Sequence, residues 1–529
     1  MAQRTSHFIA ETDVDFLPWS IGDLLRDAAH RRPDHTALIV PADAQGRPEQ
    51  RWTYRELEAE AERVATALLR HCDTGDRVAT WAGASSNLLM LHLGAALAGV
   101  VLVTLNPACR GEELKYLLGQ GDVRGIFLDR VFRNMDNIAV LEAVRPTLPK
   151  LDSVVYLDEW QAFIGGASDA SKLPSVNPDA PALIIFTSGT TGKPKGAMLG
   201  HAGVVNNARY AQARIGMPEG AVWLNMLPMF HVGGSVTMTL GCIANLGTQV
   251  LLPEFNPEAM LDALQRYQVN MTMAVPTMIL AAIQSEQFDH TDLSHLQVLV
   301  TGGTVVVPDL IRIVRERFRC EPMIVFGQTE AGGAMCLSRR GDDVELLTQS
   351  VGAPLPLSEV KIIDIDGCLA PIGQVGEICV KTRCRMLEYF RMPEKTSQTI
   401  DDDGWVHTGD LGILQPDGYV QITGRLKDMI IRGGENIYPR EIEDLLAEHP
   451  AVQQSAVFGV PDEKWGEQVA VAIVLKLGHS CNAEELGLFL DGQIARHKMP
   501  RVWRFLDTLP VTPTGKVQKF VLREQLLRE

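Results

Sequence analysis

Apolar residues fall along this chain in distinct rhythms. Thr53-Tyr-Arg-Glu56 has the spacing of a capping box, and the LEAEAERVATALLR that follows repeats apolar positions every three to four residues, so a helix is expected to about Arg70. The unbroken runs ALIIF (182–186), LQVLV (296–300) and MIVF (323–326) each end in glycine or polar residues, as strands buried on both faces do where they enter a loop. Further on, EVKIIDID, GEICVKT and ILQPDGYVQI are short runs carrying the turn pairs Asp366-Gly367 and Asp417-Gly418, which predicts antiparallel hairpins.

One stretch tests the reading. Leu88 to Leu105, LLMLHLGAALAGVVLVTL, has the length of a membrane span, but His92 interrupts it and its second half turns β-branched. A buried helix running into a buried strand is expected instead. After Gly424, RLKDMIIRGGENIYPREIEDLL passes from charged to apolar to a glycine pair to a helix, with Pro439 suited to the first helical turn. The domain boundary is therefore placed at 424–428. A body of residues 1–424 leads through a hinge at 425–427 to a small α+β domain, 428–529, with another capped helix at Asn482 and Glu485.

Composition narrows the function classes. The net charge of −16 disfavours general binding to nucleic-acid phosphates or anionic membranes, so an anionic substrate must meet local basic groups. The nine cysteines include no C-x-x-C pair, which argues against a zinc site and a disulfide framework. The opening MAQRTSHFIAETDVDF lacks the apolar core of a signal peptide and carries acidic residues unlike a transit peptide, so the cytoplasm is the expected location.

The chemistry is concentrated in a few segments. FTSGTTGKPKG, Phe186 to Gly196, follows a buried strand and combines Thr187, Ser188, Gly189, Thr190, Thr191, Gly192, Lys193 and Lys195. Glycines let N–H groups converge on an anion, hydroxyls add donors and lysines neutralise charge, which together make a polyphosphate cradle. It is not a Walker A loop, because the spacing differs and Pro194 follows Lys193. Phe326-Gly327-Gln328-Thr329-Glu330 closes another strand with one hard carboxylate, which with substrate phosphates is a usual way to bind Mg²⁺. Thr301-Gly302-Gly303-Thr304 leaves a strand at a glycine pair where backbone can approach a ligand.

Phe186 to Gly196 resembles the phosphate-binding signature of the adenylate-forming superfamily, which includes acyl-CoA synthetases, luciferases and peptide-synthetase adenylation domains. The resemblance runs over roughly residues 20 to 525, with the other motifs in family order. It implies an α/β fold, with a large N-terminal domain of two αβ layers plus a β-barrel element and a small mobile α+β C-terminal domain. Phe326-Gly327-Gln328-Thr329-Glu330 looks like the family's aromatic-Gly-x-Thr-Glu motif, so Phe326 lies against adenine, Thr329 contacts the α-phosphate and Glu330 holds Mg²⁺ by that similarity. Gly302 and Gly303 resemble the loop beside the adenine and acyl pocket. Trp405-Val-His-Thr-Gly-Asp410 resembles the segment whose aspartate clamps both ribose hydroxyls, Arg425 the nucleotide-contacting arginine, and Lys427 the hinge residue. Pro513-Thr-Gly-Lys516 looks like the loop carrying the catalytic lysine; seen alone, Lys516 is a surface lysine.

Pro228-Met-Phe-His-Val-Gly-Gly-Ser235 is similar to the acyl-pocket segment of acyl- and aryl-CoA synthetases, which implies that His231, Val232, Gly233 and Gly234 line the acyl and CoA channel and that His231 sits near the reacting carboxyl. Amino-acid-activating relatives carry an aspartate beside the phenylalanine, so an α-amino acid is disfavoured here. Gly433, Gly434 and Glu435 match the face that admits the pantetheine arm. The implied reaction is an ATP-dependent acid:CoA ligation through an acyl-adenylate, with Mg²⁺ and coenzyme A, on a medium-sized fatty, alicyclic or aryl acid. TMTLG (237–241), MAVPT (273–277) and AGGAM (331–335) offer small and apolar side chains for such an acyl group. Loading of a carrier protein and a luciferase-like oxygenation remain as alternatives, and self-association into a homo-oligomer is left open.

Overall fold

In the computed structural model, residues 5–42, 46–165, 173–187, 193–303, 306, 308–433, 435–511 and 517–528 are described. Ser188 to Gly192, Thr304, Gly434 and Lys516 lie outside the described residues. The chain divides into two compact units, the larger formed by Phe8–Val360 with Val380–His407, the smaller by Met1–His7, Lys361–Cys379 and Thr408–Glu529.

The larger unit holds two αβ layers. In its seven-stranded sheet, Val101–Thr104, Arg77–Trp81, Gly125–Leu128 and Ser153–Tyr156 run parallel with Pro181–Thr187, and Lys195–Gly200 and Glu388–Tyr389 close one side antiparallel. The nine-stranded sheet has a parallel centre of Glu321–Gln328, Val298–Gly302, Met271–Met273, Val222–Asn225, Thr248–Leu251 and Thr36–Val40. Burial on both faces explains why these strands read as unbroken apolar runs. The capping box at Thr53 forms as expected and starts the helix Tyr54–Leu68. The long apolar stretch resolves into the buried helix Ser86–Ala98 and the buried strand Val101–Thr104. Among the described residues no helix is long and apolar enough to cross a membrane.

The expected β-barrel element is instead an open sheet. Its order is His7–Ile9, Ser358–Ile363, Gly376–Thr382, Val406–Leu414 and Val420–Arg425, and the end strands do not pair, so no closed barrel forms among the described residues. In the smaller unit, Val452–Asp462 and Gly466–Leu475 form a long antiparallel pair, with Val502–Phe505 alongside and the helix Pro439–Ala447 packed on it. Pro439 and the Asn482–Glu485 capping box sit at helix starts as the sequence predicts. All nine cysteines are free.

Two buried histidines give the larger unit a pH-dependent stability. His92, inside Ser86–Ala98, and His201, which opens the helix His201–Ile215, both have Nε2 atoms with no partner among the described residues. Burial lowers each imidazole from the ordinary 6.5 to about 4. As pH falls below 6.5 the unfolded chain takes up protons that the folded chain refuses, so stability is full above that value and declines until about 4. Each histidine is worth about 3 kcal/mol across that window. Urea unfolding at pH 7.5, 6 and 5 should show the decline, and His92→Leu should remove about half of it.

Candidate active site

The strand Pro181–Thr187 lies parallel to Val101–Thr104 and antiparallel to Lys195–Gly200, with Thr187 directly opposite Lys195. The glycine-rich segment therefore joins two strands, whereas a Walker A loop opens a helix. Its flanks reach other predicted residues. Thr187 Oγ1 donates to Glu330 Oε1 at 3.1 Å, and Lys195 Nζ stands 4.1 Å from the ring centre of Tyr389. Burial lowers the Lys195 ammonium below the usual lysine range, against the opposing pull of Glu330. Lys193 Nζ lies 5.4 Å from the Tyr116 ring, whose hydroxyl donates to the Pro194 carbonyl at 2.9 Å.

Glu330 sits in the short turn Thr329–Ala331 that ends Glu321–Gln328. Thr329 and Phe326 are buried, and Gly327 and Gln328 pair with Ala334 and Gly333 of the return strand. Gly302 ends the neighbouring parallel strand opposite Val325, with Gly303 just beyond it. Here a side chain has no room, since a Cβ on Gly302 would stand 2.1 Å from the Val325 carbonyl oxygen. Gly302, Phe326 and Glu330 thus gather at the carboxyl ends of adjacent strands, where open α/β sheets bind ligands. Glu330 accepts on Oε1 from Thr187 and, at 2.6 Å, from the Tyr389 hydroxyl. Its Oε2 accepts no hydrogen bond among the described residues, and an open carboxylate oxygen is the donor chemistry Mg²⁺ favours.

His231 lies between Val222–Asn225 and a π-helix, Gly233–Leu240. Its ring packs on Phe230 at 4.5 Å between centroids, and its carbonyl accepts from Ser235 Oγ at 2.8 Å. Val232 caps the π-helix, and a Cβ on Gly234 would stand 2.5 Å from the Pro228 carbonyl oxygen. The widened turn is held by Asn225 Nδ2 and Thr239 Oγ1, which donate to the Gly234 carbonyl at 3.1 and 2.8 Å. Such π-turns cluster at functional sites.

The smaller unit carries the remaining candidates. Asp410 and Arg425 face each other across antiparallel strands, Oδ1 to Nε at 3.4 Å, and Asp410 is buried. Thr408 Oγ1 receives the Asp410 N–H at 3.1 Å and donates to the Ile378 carbonyl at 2.7 Å. Lys427 is exposed in the turn Leu426–Asp428. Gly433 follows Ile430–Arg432, its N–H donating to the Trp465 carbonyl at 2.7 Å, and Glu435 starts the paired strand Glu435–Ile437.

The sequence signature described as AMP-binding enzyme matches residues 25–390, and that of the AMP-binding enzyme C-terminal domain matches 441–516. The chain belongs to the AMP-binding enzyme family. Among relatives of this AMP-binding enzyme, the putative acyl-CoA synthetase YngI of Bacillus subtilis is 34% identical over 96% of this chain and 97% of its own. The mitochondrial medium-chain acyl-CoA ligase ACSF2 of Rattus norvegicus is 33% identical over 98% of this chain and 90% of its own. The crystal structure of ATP-bound MatB from Rhodopseudomonas palustris superposes with a TM-score of 0.86 at 30% identity, covering 96% of this chain and 99% of MatB.

Two residues of this AMP-binding enzyme escape sequence reasoning. Tyr389 carries no motif, yet it touches both Glu330 and Lys195. Asn207 clamps the turn after Glu330, its Nδ2 donating to the Ala334 carbonyl at 2.8 Å and its Oδ1 accepting the Ala334 N–H at 3.1 Å. The only sequence sign of Asn207 is a polar residue on the buried side of a helix.

Proposed function

We propose that this enzyme activates a medium-sized fatty, alicyclic or aryl carboxylic acid, with the acyl group in the buried apolar surroundings of Gly233–Leu240 and Ala331–Met335. It is an ATP-dependent acid:CoA ligase that forms an acyl-adenylate with release of pyrophosphate, then an acyl-CoA with release of AMP. The observation that carries the site assignment is the meeting of Thr187, Lys195 and Glu330, from a phosphate-type loop and a separate strand end.

The family resemblance supplies the residue roles, and their chemistry suits them. Thr187 to Gly192 with Lys193 and Lys195 cradle the phosphates, and Glu330 would hold Mg²⁺, which supplies charge neutralisation to the leaving pyrophosphate. Phe326, Gly327, Gln328, Gly302 and Gly303 border the adenine, Thr329 contacts the α-phosphate, and Asp410 with Arg425 grips the ribose. The substrate carboxylate attacks the α-phosphorus, and Lys516 stabilises the negative charge that grows on the phosphoryl oxygens. Rotation at Lys427 then exchanges Lys516 for the Gly433, Gly434 and Glu435 face, past which the thiol reaches the adenylate beside His231. The adenylate is a strongly activated acyl donor, so thiol attack requires no dedicated base.

Pyrophosphate release measured across carboxylic acids of graded chain length and ring content, with and without CoA, tests the reading. Turnover should be largest with medium-sized acids and should yield the CoA thioester. Silence from every acid would defeat it, and release that persists without any thioester would redirect the acyl group to another acceptor.

A further inference from the structure

We infer that Tyr389 is a positioning residue for the Glu330 carboxylate, occupying one oxygen so that the other stays open to a divalent cation; the inference rests on the metal-holding role proposed above for Glu330. Tyr389 is 2% exposed, and the 2.6 Å contact from its hydroxyl has the length of a charge-assisted O–H···O⁻ bond. The asymmetry matters. Glu330 is half-buried, and Thr187 and Tyr389 both donate to its Oε1, while no described residue donates to Oε2.

The segment bearing Tyr389 is fixed from several sides. Tyr389 pairs with Ala197 in the sheet, and its N–H donates to Thr396 Oγ1 at 2.9 Å. On one side the Met386 N–H donates to the Glu330 carbonyl at 2.9 Å; on the other, the Phe390 N–H donates to the Gly196 carbonyl at 2.8 Å. Arg391 binds Asp122 at 2.6 Å, and this buried carboxylate also holds Arg77 at 2.9 Å and Lys150 at 3.0 Å. A hydroxyl so anchored fixes the angle of the carboxylate, where a free solvent donor would not. The same ring supports Lys195, so Tyr389 joins the phosphate-loop cation and the metal-holding anion through one side chain.

Tyr389→Phe keeps the ring under Lys195 and removes only the hydroxyl. Binding of Mn²⁺ to the full-length enzyme, read by electron paramagnetic resonance with a non-hydrolysable ATP analogue present, separates the roles. The half-saturating Mn²⁺ concentration should rise about tenfold in Tyr389→Phe, within the range by which such supporting groups alter metal affinity. In a Glu330→Gln background the same change should add nothing. A purely structural hydroxyl would alter the melting temperature but not the metal titration. Unchanged Mn²⁺ binding in Tyr389→Phe, or an equal shift in both backgrounds, overturns the inference. Unchanged binding in Glu330→Gln alone overturns the metal-holding role itself.

Discussion

Replacing Lys516 by alanine should slow adenylate formation by about 10²- to 10³-fold, the usual cost of removing one group that stabilises transition-state charge, and leave thioester formation from preformed acyl-AMP near the wild-type rate. The two half-reactions place different demands on the site. When the carboxylate attacks the α-phosphorus, negative charge grows on the bridging and non-bridging oxygens, and an ammonium that meets it lowers the barrier more than it strengthens substrate binding. Thiol attack on the finished adenylate develops charge on the acyl oxygen and on AMP, a good leaving group, and in the proposed scheme it draws on the Gly433 to Glu435 face instead. Exchange of labelled pyrophosphate into ATP reads the first step, and CoA thioester formation from synthetic acyl-AMP reads the second. Equal loss in both would assign Lys516 to folding or to general nucleotide binding.

Local structure was legible where a short segment determines it. The Thr53 and Asn482 caps, Pro439 at its helix start, and the change from helix to strand within Leu88–Leu105 depend on neighbours a few residues apart. The barrel expectation came from family resemblance rather than from periodicity, and no run of residues encodes whether the end strands of a sheet meet. The π-helix was hidden for a related reason. Gly233–Leu240 has no five-residue apolar repeat, and its widened turn depends on Asn225 and Thr239 bonding to the Gly234 carbonyl.

The candidate site was readable in motifs whose residues are contiguous, such as Thr187 to Lys195 and Phe326 to Glu330, of which the structure brings Thr187, Lys195 and Glu330 together. It was illegible where a function depends on one side chain arriving from far along the chain. Leu387-Glu-Tyr-Phe390 has no unusual composition, and Tyr389 becomes significant only because Glu388–Tyr389 pairs on the edge of Lys195–Gly200. Asn207 and Ala334 are likewise brought together by packing of the helix His201–Ile215 against Gly333–Leu337.

Asp410→Ala should lower kcat/KM for ATP by about 100-fold, because hydrogen bonds to a charged acceptor are each worth about 1.5–3 kcal/mol. The structure holds the proposed ribose-binding aspartate in a fixed place. It is buried, its backbone is fixed by Thr408, and its carboxylate meets Arg425 across the strand pair at 3.4 Å. The comparison of ATP with 2′-deoxy-ATP isolates that role from mere stability. Wild-type enzyme should prefer ATP, since the deoxy nucleotide leaves one acceptor lone pair unused, and the alanine variant should lose the preference because it can use neither hydroxyl. A variant that is slower with both nucleotides but keeps the wild-type preference would show that Asp410 supports the strand pair and that the ribose is held elsewhere.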